Sequence, residues 1–288
     1  MTKIARAFLV GESAMEQRIT RAKAKVAKAG APFETPGAVE RAERLAAVAA
    51  MVYLLFNEGY SATAGPGLLR HDLCLEAIRM GRLMLELVPG NAECEGLLAL
   101  MLLNHSRATA RLDDQGRMIA LEHQDRSLWN RQEIAEGLAL LDAALARGRS
   151  GVFQLQAAIS ALHAQAPSHA ATGWREIVLL YEGLHRLAPN AVYLLNRAVA
   201  LSYASNAEDA LAALAPLEDG FADYQPFHAA KADFLRRTGR LDAARQSYRR
   251  AIALSANESE RQFLETRLAA LDPPGAQDAG APPATHAP

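Results

Sequence analysis

One pattern limits what this chain can fold into: a small residue, a larger one three or four positions on, and a closing proline about twelve residues after the first. Ala77, Gly81 and Met84 close at Pro89, and Leu98, Ala99 and Leu102 open the following segment. Ile177, Tyr181 and Leu184 close at Pro189 in the same register, with Ile177 larger than the usual alanine. Ala232, Leu235, Gly239, Ala244, Tyr248 and Ala251 give the fullest copy, with Ala256 and Asn257 where the proline would stand. Small residues at i, i+3 and i+4 spacing let two helices cross closely, and the larger ones fill the gaps between them. Glycine, proline and asparagine break the pattern at regular intervals. Stacked helical hairpins follow, and such arrays bury one continuous core.

The predicted fold class is therefore all-α. From Ala38 to Leu271 nearly every segment reads as amphipathic helix, rich in Ala and Leu and poor in β-branched runs. The repeats resemble tetratricopeptide units, although they are degenerate. Strand-like alternation appears only at Arg111–Leu121, where Asp113-Asp114-Gln115-Gly116 supplies a turn and Met118, Ile119 and Leu121 a flank. One small β-hairpin insertion is expected there. Residues 273–288 are Pro, Ala, Gly and polar residues without a large apolar side chain, and are expected to be a disordered tail. The divisions are 1–30, a linker at 31–37, a helical domain at 38–272 and that tail.

Charge sets the first 30 residues apart. They hold Lys3, Arg6, Arg18, Arg21, Lys23, Lys25 and Lys28 against Glu12 and Glu16 only, and four of the five lysines of the chain. Lys3–Phe8, then Leu9-Val10-Gly11, then Glu12–Ala27 read as helix, tight turn, helix. Ile4, Ala5 and Phe8 face Val10, Met15 and Ile19 across the turn. The second helix offers Ser13, Ala14, Glu16 and Gln17 in its first half, and Arg18, Arg21, Lys23 and Lys25 in its second. The first group suits base edges in a major groove and the second suits phosphates.

Other chemistry is not signalled. Cys74 and Cys94 imply neither a disulfide nor a CxxC metal pair and read as buried thiols. The scattered histidines form no HExxH or HxxxH pair, and His163 reads as a satisfied core residue. Asp113–Gly116 lacks the later ligands of a calcium loop. No phosphate loop, dinucleotide fingerprint or nucleophile elbow is present. Neither an enzyme nor a cofactor is expected. No apolar run reaches the ~18 residues that would span a membrane, and a cytoplasmic setting is expected. Gly59, after Asn57-Glu58, is placed to be a left-handed cap, with Tyr60 folding back on the last turn. Asn196 and Arg197 sit inside an apolar helix, where Asn196 would bond a neighbouring helix. Glu122, Gln124, Asp125, Arg126 and Trp129 form one polar-aromatic cluster, readable as a helix-approach loop or as a protein-contact surface.

Glu12-Ser13-Ala14-Met15-Glu16-Gln17-Arg18-Ile19-Thr20-Arg21-Ala22-Lys23 resembles the end of sigma region 4, where a recognition helix runs into an R-x-x-R-A-[RK] signature. Ala7–Val10, Arg21–Lys25 and Pro32-Phe33 resemble the junction in group 42 extracytoplasmic-function sigma factors. Leu55–Tyr60, Gln124-Asp125-Arg126 with Trp129, Gln154–Ala158 and Leu195–Val199 resemble that group's long C-terminal extension. Together these stretches cover the chain from about residue 3 to 271. The resemblance implies a bacterial transcription initiation factor whose region 4 reads the −35 promoter element. Its partners would be promoter DNA, with binding weak or lost in this shortened chain, and the RNA polymerase core or the rest of the sigma factor. It also implies that region 2 and the first helices of region 4 precede Met1, through a late start codon, a split gene or a fragment. This chain alone is then expected not to support promoter-specific initiation. The other reading is a free-standing adaptor whose concave face holds a protein.

Overall fold

The computed structural model describes residues 11–28, 37–62 and 68–271. Among them are twelve α-helices, joined by turns and short 3-10 segments, and no strand. A basic helix α1 (Glu12–Lys28) comes first. An array follows: α2 (Ala38–Tyr60), α3 (His71–Leu87), α4 (Ala92–His105), α5 (Arg131–Leu145), α6 (Val152–Gln165), α7 (Trp174–Leu187), α8 (Ala191–Ala204), α9 (Ala207–Leu214), α10 (Gln225–Arg237), α11 (Leu241–Leu254) and α12 (Glu258–Ala269). The fold is all-α.

Asparagines start many of these helices. Asn91, Asn130, Asn190, Asn206 and Asn257 cap α4, α5, α8, α9 and α12, each side-chain oxygen accepting an amide of the first turn. That satisfies donors the helix itself cannot use. At the other end of α10, Gly239 turns the chain into α11 with φ +77, a conformation that L side chains rarely adopt.

Each helix of the array from α2 on packs on the next, as the repeat pattern requires. Ala77, Gly81 and Met84 are buried, as are Leu98, Ala99 and Leu102 on α4. In the α10/α11 hairpin Ala232, Leu235, Ala244, Tyr248 and Ala251 form one buried cluster. Ile177 and Leu184 are buried with Ile159 and Ala200, which joins α6, α7 and α8. Cys74 and Cys94 are free and buried, and burial pushes both thiols up to about 11.

Gly59 is not a left-handed cap. It lies inside α2, and an added Cβ there would sit 2.7 Å from the Cys74 amide nitrogen. Its missing side chain lets α3 start against α2. The fold-back of Tyr60 does occur, as its ring stacks on Phe56 at 5.6 Å.

The expected hairpin at Arg111–Leu121 is reduced to one bridge, Leu112 with Met118. The Asp113 amide donates to the Arg117 carbonyl and the Ile119 amide to the Arg111 carbonyl. Asp113 accepts from the Gln115 and Arg117 amides, so the turn reading stands. 3-10 turns at Ala108–Ala110 and Leu121–His123 end both flanks before a ladder can grow. Lys3–Phe8, residues 31–36 of the linker and the tail from residue 273 lie outside the described residues.

The end of the array returns to its beginning. Asn257, fully buried at the start of α12, donates from Nδ2 to the Ala62 carbonyl at 3.0 Å, just beyond α2. Ser61 donates to Glu260 at 3.4 Å. Asn257→Ala removes a cap and leaves buried backbone groups without that partner. A loss of about 3 kcal/mol in urea unfolding is expected, against about 1 kcal/mol for Asn206→Ala at an exposed cap. Equal losses would mean that the closure contributes nothing.

Candidate functional site

On α1, the residues expected to meet DNA are all solvent-exposed: Ser13, Ala14, Glu16, Gln17, Arg18, Arg21, Lys23 and Lys25. Met15 is buried at 5% and Ile19 is half-buried. A seam only two residues wide holds the helix, and its remaining described side chains face solvent. Arg21 folds back on the Gln17 carbonyl at 3.3 Å. No broad interface joins α1 to another described helix.

The second group of candidates falls in a segment that crosses the inside of the array, between α4 and α5. Arg111 donates to the Tyr60 carbonyl at the end of α2, and its guanidinium lies 3.8 Å over the Tyr60 ring. Burial pulls this guanidinium below its ordinary value. Arg107 stands 5.9 Å from the Tyr60 ring and 5.8 Å from that of Trp129. Arg126 lies over Trp129 at 4.4 Å and donates to the His163 and Ala166 carbonyls at the end of α6. Cations at a helix C-terminus satisfy its unpaired carbonyls. Asp125 caps a short 3-10 turn by accepting from the Ser127 amide at 2.8 Å, and Gln124 donates to the Ile119 carbonyl at 3.1 Å. Glu122 accepts from Arg267 of α12 at 2.9 Å. Desolvation raises this carboxyl, but Arg267 outweighs it and leaves the group below its usual range.

Trp129 is 2% exposed and packs with Ala99, Leu103, Ala157 and Ala161. It and Arg126 serve the interior, so these two give the outer surface nothing to grip. Sequence spacing could not show this, because the carbonyl partners of Arg126 lie 37 and 40 residues away and Trp129 packs on residues of α4 and α6. Arg107 and Arg111 were not singled out in the sequence. Nothing local marked them, since Trp129 is the one Phe, Tyr or Trp between residues 61 and 130, and only the fold brings them to Tyr60.

Asn196 and Arg197 face α7. Asn196 lies beside Tyr181, and Arg197 forms an ion pair with Glu182 at 2.6 Å. The register role expected of Asn196 fits this contact.

Glu122 and Asn196, far apart in sequence, line one cavity of about 270 Å3. Its walls come from residues 120–122, the end of α6, the turn before α7, and α7 with α8. Trp174 and Tyr203 stack at 4.5 Å and 25°, and His169 packs against both at 4.8 and 4.7 Å. His163 meets Trp174 edge-on at 5.1 Å. Its Nδ1 is buried without a protein partner, so His163 is not the satisfied core residue expected from its neighbours. Leaving such an atom unbonded costs about 1–3 kcal/mol.

Burial, reinforced by Arg107, Arg126 and His169, lowers the His163 imidazole to about 3. The unfolded chain binds this proton below its ordinary value of 6.5, and the folded chain does not. Stability is therefore full above pH 6.5 and falls as pH drops towards 3, by about 1.4 kcal/mol per pH unit from this group. Replacing His163 by Phe should flatten the fall in stability between pH 7 and pH 5, so that the difference in unfolding free energy between the two proteins shrinks by about 2 kcal/mol over that interval. An unchanged slope would place the proton elsewhere.

Residues 44–145 match DUF6596, a family of unknown function. The match runs from within α2 to the last residue of α5 and so takes in the arginine-aromatic interior. The chain is also similar to an uncharacterised protein of Rhizobium meliloti (strain 1021), 54% identical over 266 residues. That alignment covers 92% of this chain and 63% of the relative. The chain thus spans less than two thirds of the length of the curated relative it matches. Among the described residues no helix is long and apolar enough to cross a membrane.

Proposed function

We propose that this chain is the C-terminal part of a group 42 extracytoplasmic-function sigma factor acting in the bacterial cytoplasm. Helix α1 reads promoter DNA, and α2–α12 control activity through contact with the polymerase core or the rest of the factor. The observation that carries the reading is the exposure of α1. A helix resembling the end of sigma region 4 buries Met15 and offers all eight DNA-facing candidates to solvent. Ser13, Glu16 and Gln17 reach base edges, the small Ala14 permits close approach, and Arg18, Arg21, Lys23 and Lys25 neutralise phosphates.

An adaptor working through its concave face is less favoured. The segment carrying Arg111, Glu122 and Arg126 is bonded to α2, α12 and α6, which engages these side chains within the chain itself.

DNA binding is tested by fluorescence anisotropy with labelled duplexes between 50 and 200 mM salt. Four phosphate contacts correspond to a slope of about −3.6 in log K against log salt, a roughly hundredfold loss over that range. Selection from a randomised duplex pool should also enrich one motif. Binding that ignores salt, or a pool that enriches nothing, would remove α1 as a promoter reader.

A further inference from the structure

Arg107, Arg111 and Arg126 differ from the other half-buried arginines of the array. Arg197, Arg236, Arg245, Arg261 and Arg267 each form an ion pair with an Asp or Glu. Among the described residues no carboxylate pairs with the other three, whose bonds go to carbonyls and to Asn104. They are also neighbours. Arg111 lies 3.8 Å over the Tyr60 ring, and Arg107 stands 5.9 Å from the same ring. Arg107 stands 5.8 Å from the Trp129 ring, and Arg126 lies 4.4 Å over it. Arg107 is thus shared between two rings, with a second cation on each. Rings attract a cation but carry no net charge, so the positive charges of this row are not neutralised by them. Burial lowers the guanidiniums of Arg111 and Arg126, and the charge of Arg107 lowers both further. Glu260 offsets part of this at Arg111.

Donors remain for a ligand. Arg107 commits Nη2 to Asn104 Oδ1 at 3.0 Å, and Arg111 commits Nη1 to the Tyr60 carbonyl. Their other guanidinium nitrogens make no hydrogen bond among the described residues, and they are not enclosed. Across Trp129, Arg126 Nη2 and Trp129 Nε1 are enclosed without an acceptor. These two add positive potential and need not touch what binds. Guanidinium forks match the oxygens of a phosphate group two at a time. A half-buried row of like charges also favours a ligand with two or more negative charges over one with a single charge.

We propose that Arg107 and Arg111 bind a small anion carrying a phosphate or diphosphate group where the interior segment leaves α4, with Arg126 supplying charge from across Trp129. Such an anion ties the start of that segment to the end of α2, where Tyr60 stands. The proposal stands whether or not α1 reads DNA.

The test uses the full chain, with inorganic pyrophosphate and adenosine diphosphate as probes and acetate as the singly charged control, all at one ionic strength. Calorimetry should detect at least one diphosphate, with acetate at least about tenfold weaker. The melting temperature should rise by about 5 °C at a roughly hundredfold excess over the dissociation constant. Tighter binding of adenosine diphosphate supports a group carried on a nucleoside, and tighter binding of pyrophosphate supports the free anion. Arg107→Met keeps an unbranched stem beside the rings and removes the charge, and should weaken binding at least about tenfold. Should that variant not fold, Arg107→Lys keeps the charge without the fork and should weaken binding at least about threefold. The double variant Arg18→Ala, Arg21→Ala should bind as the parent does. No binding by either diphosphate would overturn the proposal. So would equal binding of acetate, an equal melting rise in the folded Arg107 variant, or loss of binding in the α1 double variant.

Discussion

Replacing Arg18 and Arg21 together by alanine is expected to reduce DNA binding by α1 more than about 100-fold at 100 mM salt, and to halve the salt slope. The reason lies in how little else holds the helix to a duplex. Two arginines and two lysines are the exposed cations of the described part of α1. Each charge-assisted bond to phosphate contributes about 1.5–3 kcal/mol, so losing two removes most of the sequence-independent affinity. Both side chains are exposed, and the one bond recorded for Arg21 is to its own helix. Stability should therefore change by less than about 0.5 kcal/mol, which separates a lost contact from a lost fold. Anisotropy titrations at several salt concentrations, with circular-dichroism melts alongside, measure both. Unchanged affinity in a folded double variant would remove the helix from any role in DNA binding.

Gly59→Ala is expected to destabilise the protein although it introduces the better helix former. Within a helix, glycine to alanine ordinarily stabilises by about 1 kcal/mol. Here the new methyl would meet the Cys74 amide nitrogen at 2.7 Å, the Cys74 sulfur at 2.9 Å and the Leu73 Cβ at 2.9 Å. One of these is backbone and another is anchored directly to it, so rotamer changes cannot clear the space. The α3 helix must move, and overpacking of this kind costs about 1–3 kcal/mol and occasionally more. The Arg70 amide also donates to the Gly59 carbonyl at 2.7 Å, a bond that the shift would strain. A net loss of about 2 kcal/mol in urea unfolding is expected. Gain of stability would mean that α2 and α3 approach less closely than described.

Much of this architecture was legible in the chain itself. Small-residue spacing on α3, α10 and α11 named buried positions correctly, because helix crossings admit only small side chains whatever the rest of the fold does. Asparagines among the punctuation began helices, because their short side chain can accept a first-turn amide locally. The exposed polar face of α1 followed from periodicity alone. These are properties of neighbours within a turn or two of helix, which a sequence encodes directly.

What the sequence left open was decided at long range. The polar cluster at 122–129 allowed both an inner and an outer role. Arg126 bonds to the end of α6 and Trp129 is buried, whereas Glu122, bonded to α12 145 residues away, and Asp125 stay exposed. Gly59 carried the composition of a cap, yet α2 continues through it because α3 needs the vacant Cβ position. The short strand pairing had turn chemistry but no third strand, and an isolated two-stranded pairing is marginal without one. His163 looked like core, but the fold left one nitrogen unpaired beside an aromatic wall assembled from two helices and a turn. Helix periodicity specifies which face a residue occupies. Only the path of the array decides what that face meets, because contacts between distant segments depend on every crossing angle between them.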